Sequence, residues 1–440
     1  MEKIFLNKRK IKVELIHPPH PNSTEDRLDP PLGLLSIASY LRQKIPNIEI
    51  FINDLSGIKE NDWHIKPADI YGVTVYIPSM NVAKTICRKC KEVNPDSIVV
   101  VGGAHPTAVP NSMKIPEVDY IVLGEGELAM EQLCLSVING EKIKEQEIRG
   151  IPIDEIVFPA FDLIDPKTYK RNIGGVASLP ILTSRGCPFS CAFCGLNRMH
   201  KLKPSIRFSS PSQVANDIKR IKEEFGINAI NFQDDIFTMK HERLFEILKL
   251  IEPMNIVFRC HGRAGLDNEE VYKRLAQAGC SQVSWGIESG SQEILNRMNK
   301  NVKVQDNLNV IRWAKKYGIS ARAFFVIGFP GETQKTIQET KDFIIESQPD
   351  QFFISNFIPY PGTDVWYDPE YYGVTDISCN FDEYYFTSKD GTGGITISTK
   401  WLSKEEFRIL ELDFRKWMSK NIQRKGYLQS YEKQLEENKL

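Results

Sequence analysis

No stretch of this 440-residue chain stays apolar and uncharged for the roughly 18 residues that a bilayer-crossing helix needs. A helical membrane span is therefore not expected. Net charge is almost absent: 56 Lys and Arg stand against 57 Asp and Glu, a formal balance of -1. Such a surface sets up no global field to gather nucleic acid or an anionic membrane, which favours a small-molecule or peptide substrate. A disulfide framework is missing as well. The nine cysteines are an odd count and, outside one triplet, follow no regular spacing, which argues against a secreted scaffold. The opening residues MEKIFLNKRKIKVELI hold only a short apolar run and no small-residue cleavage site, so the expected setting is the cytoplasm.

What is present is a long chain with 41% hydrophobic residues, too long for one ordinary core, so two domains and an appendage are expected. Residues 1–150 alternate short β-branched runs with helical segments, the pattern of a parallel sheet covered on both faces. Strands are expected at Lys12–Ile16, Ile48–Ile52, Asp69–Tyr76, Ser97–Val101 and Tyr120–Leu123, and helices at Leu32–Lys44, Met80–Val93 and Gly126–Ile138. Ligands of such sheets sit beyond the carboxyl ends of the strands, where the loops Gly102–Thr107 and Gly124–Glu127 fall. The Pro-rich segment with His17 and His20 is long for an α/β connection and reads as a lid or a solvated loop. Cys87 and Cys90 fall mid-helix and read as structural or surface thiols.

Residues 151–178, entered through the charged run Lys142–Arg149 and rich in proline, read as a linker. From 179 to 360 strand and helix repeat about six times, which fits an open partial (β/α)6 barrel better than a closed one of eight. Strand ends carry the polar clusters: Gln233–Asp235, His261–Arg263, Glu288–Ser289 and Gly328–Glu332. Arg322, on the fifth of these strands, is a candidate for bidentate pairing with a carboxylate, since planar Arg matches that geometry. The Gly328–Thr333 loop permits close backbone approach to a ligand. Residues 361–440 are aromatic-rich and then helical, readable as a channel wall or as a cap on the barrel's open side, with the cap preferred.

Thr183–Arg198, TSRGCPFSCAFCGLNR, is the most informative stretch. Cys187, Cys191 and Cys194 leave a strand end at CxxxCxxC spacing, three ligands where structural zinc usually takes four. A zinc knuckle would need a second cysteine pair nearby. A [4Fe-4S] cluster on three cysteines keeps one iron open. With Phe193 before the third cysteine, the motif resembles the signature of radical SAM enzymes, whose open iron chelates S-adenosyl-L-methionine. The GGxHxT residues Gly102, Gly103, His105 and Thr107, with the Gly124–Glu127 loop, resemble the cobalamin-binding domain of the cobalamin-dependent class of that family. The chain has no DxHxxG sequence, so the resemblance implies cobalamin held without a histidine on cobalt. It further implies an N-terminal Rossmann-like cobalamin domain, then the partial barrel and a small C-terminal region. Asp234 and Asp235 would orient the amino end of S-adenosylmethionine, and Glu288 and Ser289 its ribose or methionyl portion. The implied activity is C-methylation through a 5'-deoxyadenosyl radical, with a flavodoxin or ferredoxin as electron donor. Cyclisation, ring contraction or rearrangement without methyl transfer, and a non-catalytic cobalamin or metal carrier, are the alternatives.

Overall fold

The computed structural model describes residues 10–23, 25–151, 153, 155–195, 206–385 and 392–421. The last residues of the cysteine stretch, Leu196–Arg198, Asp390 and Gly391 and the charged residues after Lys425 lie outside them.

Two sheets carry the fold. The first is wholly parallel and runs β2-β1-β3-β4-β5-β6, from β1 (Lys12–His17), β2 (Glu49–Asp54), β3 (Ile70–Thr74), β4 (Ile98–Gly102), β5 (Tyr120–Gly124) and β6 (Glu147–Gly150). Helices α1 (Leu32–Lys44), α2 (Met80–Val93) and α3 (Glu127–Asn139) cover it. Its central strands are buried almost throughout, as a sheet packed on both faces requires. Strand β6 emerges from the run expected to be linker: Ile148 is buried and pairs with Val122, and a single apolar residue among charges leaves no visible period. Cys87 and Cys90 are fully buried core, not surface.

The second sheet curls into a half barrel. Its six parallel strands are β8 (Val176–Ile181), β9 (Ala229–Phe232), β10 (Val257–Gly262), β11 (Cys280–Glu288), β12 (Ser320–Ile327) and β13 (Gln351–Asn356), in sequential order, and the short β7 (Asn172–Ile173) pairs antiparallel at the β8 edge. Between them lie α4 (Pro211–Phe225), α5 (His241–Ile251), α6 (Glu269–Gln277), α7 (Val304–Lys316) and α8 (Gln334–Ser347). Local chemistry sets their limits. Ser210 accepts from Gln213 N to start α4 with Pro211 behind it, and Gly226 ends it in the left-handed conformation. In β12 the alternation is complete: Ala321, Ala323, Phe325 and Ile327 face the helices, while Arg322, Phe324 and Val326 face the concavity.

Two features join the halves. Phe161 is fully buried against Phe158 and Phe225, and Ala160 N donates to Leu35 O. The aromatic stretch after the barrel is neither wall nor simple cap. Trp366, Phe381 and Tyr384 cluster with Tyr360 and with Ile77 of the first half, and Asn81 donates to Asp382 at 2.8 Å. Helix α9 (Lys404–Asn421) packs Phe407, Leu410 and Phe414 into the barrel's own core.

Candidate functional site

The cysteine loop follows β8 and is anchored at its root by one carboxylate. Asp234, wholly buried, accepts from Thr183 N at 3.1 Å, from Thr183 Oγ1 at 2.9 Å and from Ser184 Oγ. Expected to orient a ligand, it is instead committed to Thr183 and Ser184, four and three residues before Cys187. Asp235 is exposed on the other side of the turn. Cys191 is buried and Cys187 and Cys194 are half-buried. Burial pushes the Cys187 thiol up and the Asp235 charge adds to it, opposed by the Phe189 backbone and Arg263. Arg263 was seen only as part of a polar strand end, yet it is the cation of this loop. Its Nη1 lies 3.7 Å from Cys191 Sγ, its plane covers Phe189 at 3.7 Å, and Nη2 donates to Lys300 O. Outer contacts hold the loop as well: Ala192 N donates to Met298 O, and Asn299 to Ser190 O.

Across the mouth, Glu288 ends β11 with φ +65°, a left-handed conformation costly for any residue but glycine. It is buried and paired with Lys300 at 2.8 Å, and Lys300 Nζ sits 5.5 Å over the Phe193 ring. Glu288, Lys300, Phe193 and Arg263 thus form one continuous wall beside the cysteines. Lys300 was missed because it stands in an ordinary helix-to-helix turn, NKNVK. Ser289 is buried on Thr340 and Ser291 N, inside the protein. Gly328 (φ +81°) is glycine because a Cβ would strike the Phe407 ring of α9, so its bareness accommodates the helix and not a ligand. Glu332 caps that turn, accepting from Gly328 N and Thr336 Oγ1, and its burial raises the carboxyl to about 7. Arg322 is only the third residue of β12, well short of the loop end, with its guanidinium 4.3 Å over Phe353.

A second centre opens at the carboxyl ends of the first sheet. A cavity of about 290 Å³ is lined by Leu15, Val73, Val100, Val122 and Met130 below and by Gly102, Gly103, Gly124 and Gly126 at the rim. Among the described residues no histidine lines it. His105 is fully buried, with Nε2 2.8 Å from Ser112 Oγ and Phe381 stacked edge-on at 5.1 Å, and burial lowers it to about 4. Thr107 joins two rim loops, donating to Gly103 O and accepting from Gly124 N. The four motif residues therefore divide: two glycines bare the rim, while the histidine and threonine brace it. The Pro-rich segment is pinned, not a mobile lid. Asp26 accepts from His20 N and Gly57 N, and Arg171 grips Asp29 with two nitrogens.

The two centres meet. Leu182 and Arg185 of the cysteine loop line the same cavity. Arg185 pairs with Glu125 at 2.9 Å and Glu127 at 2.8 Å and donates to Ser36, and Arg207 also pairs with Glu125. The Gly124–Glu127 loop is thus a clamp on the cysteine loop as well as a rim.

Residues 181–344 match the model of the Radical SAM superfamily and residues 29–134 that of the B12 binding domain. An uncharacterized methyltransferase of Pyrococcus horikoshii is 32% identical over 383 residues, 81% of this chain and 82% of that protein. The chain belongs to the cobalamin-dependent radical SAM enzymes. An anaerobic magnesium-protoporphyrin IX monomethyl ester cyclase of Rubrivivax gelatinosus is 27% identical over 369 residues, covering 77% of this chain and 66% of the cyclase. The fold is shared with the radical S-adenosylmethionine methyltransferase TsrM of Kitasatospora setae, at TM-score 0.64 and 18% identity over 83% of this chain and 79% of that one.

The family's cofactors are a [4Fe-4S] cluster, S-adenosylmethionine and cobalamin, and the residues present fit them. No three His, Cys, Asp or Glu among the described residues converge as a single-ion site would require. A four-iron cluster takes its thiolates on separate irons, around one opening. The glycine rim over an apolar slot suits a large flat ring with a tail. Gly102 allows a direct test, since it lines the slot and a Cβ there would meet only Val122, at 3.5 Å, with no backbone clash. Gly102→Leu is expected to lose hydroxocobalamin on gel filtration while keeping its iron.

Proposed function

We propose that this enzyme transfers a methyl group to a carbon of a small-molecule or peptide substrate. The observation that carries the reading is the cavity wall shared by the Gly102–Gly126 rim and by Leu182 and Arg185, two residues upstream of Cys187. Transfer between centres needs near-contact geometry, and one wall provides it. When bound, the reduced cluster supplies the electron that cleaves S-adenosylmethionine, and cobalamin supplies a methyl carrier. The chain's part is placement. Cys187, Cys191 and Cys194 hold the cluster, with Arg263 as the neighbouring cation and Asp235 at the open side. Phe193, Glu288 and Lys300 would form the wall that holds S-adenosylmethionine, and Asp234, Ser289, His105 and Thr107 hold the loops that carry these groups. In this reading residues 1–150 carry cobalamin, 151–178 link, 179–360 carry the cluster and 361–440 brace both. A flavodoxin or ferredoxin delivers the electron in the cytoplasm, and no nucleic acid takes part.

The test needs no substrate. Anaerobically reconstituted protein with cobalamin, reductant and S-adenosylmethionine is expected to form both 5'-deoxyadenosine and S-adenosylhomocysteine. 5'-Deoxyadenosine alone would move the reading to ring formation or rearrangement, the chemistry that the cyclase relative's name states. Absence of both would leave a carrier.

A further inference from the structure

The concave face of the half barrel, below the cysteine loop, is polar where its outer face is core. Asn231, Arg259, His261, Ser284 and Arg322 project from successive strands on this side, while Phe232, Phe258, Cys260, Val283 and Ala321 alternate to the helices. The rows are in register: Asn231 stands beside Arg259, and His261 beside Ser284, which stands beside Arg322. This face is distinct from the wall of Glu288 and Lys300 at the strand ends.

Its charge is lopsided. Asp29 enters from the first half of the chain and is already gripped by Arg171 at 2.6 and 3.1 Å and by Asn231 at 3.3 Å. Arg259 is half-buried, and among the described residues its hydrogen bond is to the neutral Asn231 Oδ1, at 2.7 Å through Nε. No carboxylate meets its two terminal nitrogens. Burial first, then Arg171 and Arg322, lower the guanidinium to about 10, with Asp29 opposing them. His261 does not offset this. Its Nδ1 lies 3.3 Å from Asp234 O, and burial with Arg259 lowers it to about 4, so it is neutral. An arginine desolvated beside other arginines is unfavourable unless an anion completes the site, and the planar fork of Arg259 suits an oxyanion taken by two nitrogens.

We infer that the concave face is an anion subsite, in which Arg259, between Arg171 and Arg322, takes the carboxylate or phosphate group of the substrate. The carbon to be modified then lies above it, toward the cysteine loop. The inference rests on the methyl-transfer reading for calling the bound molecule a substrate. The charged face itself does not depend on that reading.

The test uses holoenzyme with cluster, cobalamin and S-adenosylmethionine bound, so that their own anion contacts are filled. Inorganic phosphate is followed by phosphorus NMR line broadening and acetate by saturation transfer, at low, fixed ionic strength. Saturable binding of at least one probe is expected, weakened at least about tenfold in Arg259→Gln and largely restored in Arg259→Lys. The probe that binds tells a phosphate-bearing substrate from a carboxylate-bearing one. Both variants should retain cobalamin and form 5'-deoxyadenosine without substrate. Binding of neither probe, or equal binding in Arg259→Gln, overturns the subsite. So does loss of 5'-deoxyadenosine in both variants, which would place Arg259 in the cleavage machinery. Anion binding with no S-adenosylhomocysteine from wild type would instead retire methyl transfer and leave the subsite standing.

Discussion

Alanine at any one of Cys187, Cys191 or Cys194 is expected to reduce reductive cleavage of S-adenosylmethionine to background. A three-thiolate site has no spare ligand, and five of the other six cysteines, all but Cys379, are buried. Cys87 and Cys90 are buried beneath the first sheet, and Cys260 and Cys280 lie in the core behind the barrel wall. The loop should stay folded in each variant, because its fixings are the Asp234 carboxylate at the root and the backbone bonds from Ala192 and to Ser190, none of which uses a thiol. Cys87→Ala and Cys90→Ala serve as controls. They remove small buried groups whose thiols burial pushes well up and keeps protonated, so stability should fall by about 1 kcal/mol with cleavage unchanged. The measurement is 5'-deoxyadenosine formed per protein, beside iron and sulfide content. Undiminished cleavage in one triplet variant would remove that cysteine from the cluster.

Arg185→Met should damage the protein almost as severely, by a different route. Arg185 is 15% exposed and faces Glu127 at 4% and Glu125 at 24%. Taking one partner from a buried ion pair leaves its mate desolvated and typically costs about 3–5 kcal/mol. Here two carboxylates are affected, although Arg207 still answers Glu125 and Ser36 Oγ lies 3.0 Å from Glu127. The expected loss is therefore about 3 kcal/mol in denaturant unfolding. A second effect separates clamp from mere core. If the clamp sets how the cavity meets the cysteine loop, Arg185→Met should form S-adenosylhomocysteine far more slowly than 5'-deoxyadenosine, relative to wild type. Equal decline of both products would reduce Arg185 to a stabilising residue.

Much of the architecture could be read from periodicity. Helix α4 has the bounds that apolar spacing and caps imply, because Ser210, Pro211 and Gly226 are local instructions. Strand β6 was hidden because an edge strand with one buried apolar side chain, Ile148, carries no pattern. At the site, the residue types were legible but their directions were not. Asp234 stands in a turn where either a ligand or a neighbouring strand end could take its carboxylate, and only the packing of β8 against β9 decides for Thr183 and Ser184. His105 was read with the cobalamin-binding loop, yet Phe381, far away in sequence, covers it. Arg263 and Lys300 act through partners across the barrel mouth, and no local spacing announces such pairs. Gly328 was read as room for a ligand, although the ring that needs the room comes from α9.

The aromatic clasp around Phe381 bears on how the protein is made. Asn81 and Asp382 are 301 residues apart, and Tyr367 reaches Ala108 across 259. At ribosomal rates of about 5–20 residues per second, the first sheet, complete at Gly150, emerges about 12–46 s before the Asp382 brace exists. During that interval the Ala104–Ala108 helix and the Tyr76–Ser79 turn, which flank the cavity of the first sheet, lack their outer support. The half-made protein is thus open to a bulky cofactor that the finished one grips. Order of synthesis and order of cofactor loading would then coincide: insertion into a nascent or newly released chain should be faster than into the completed apoprotein.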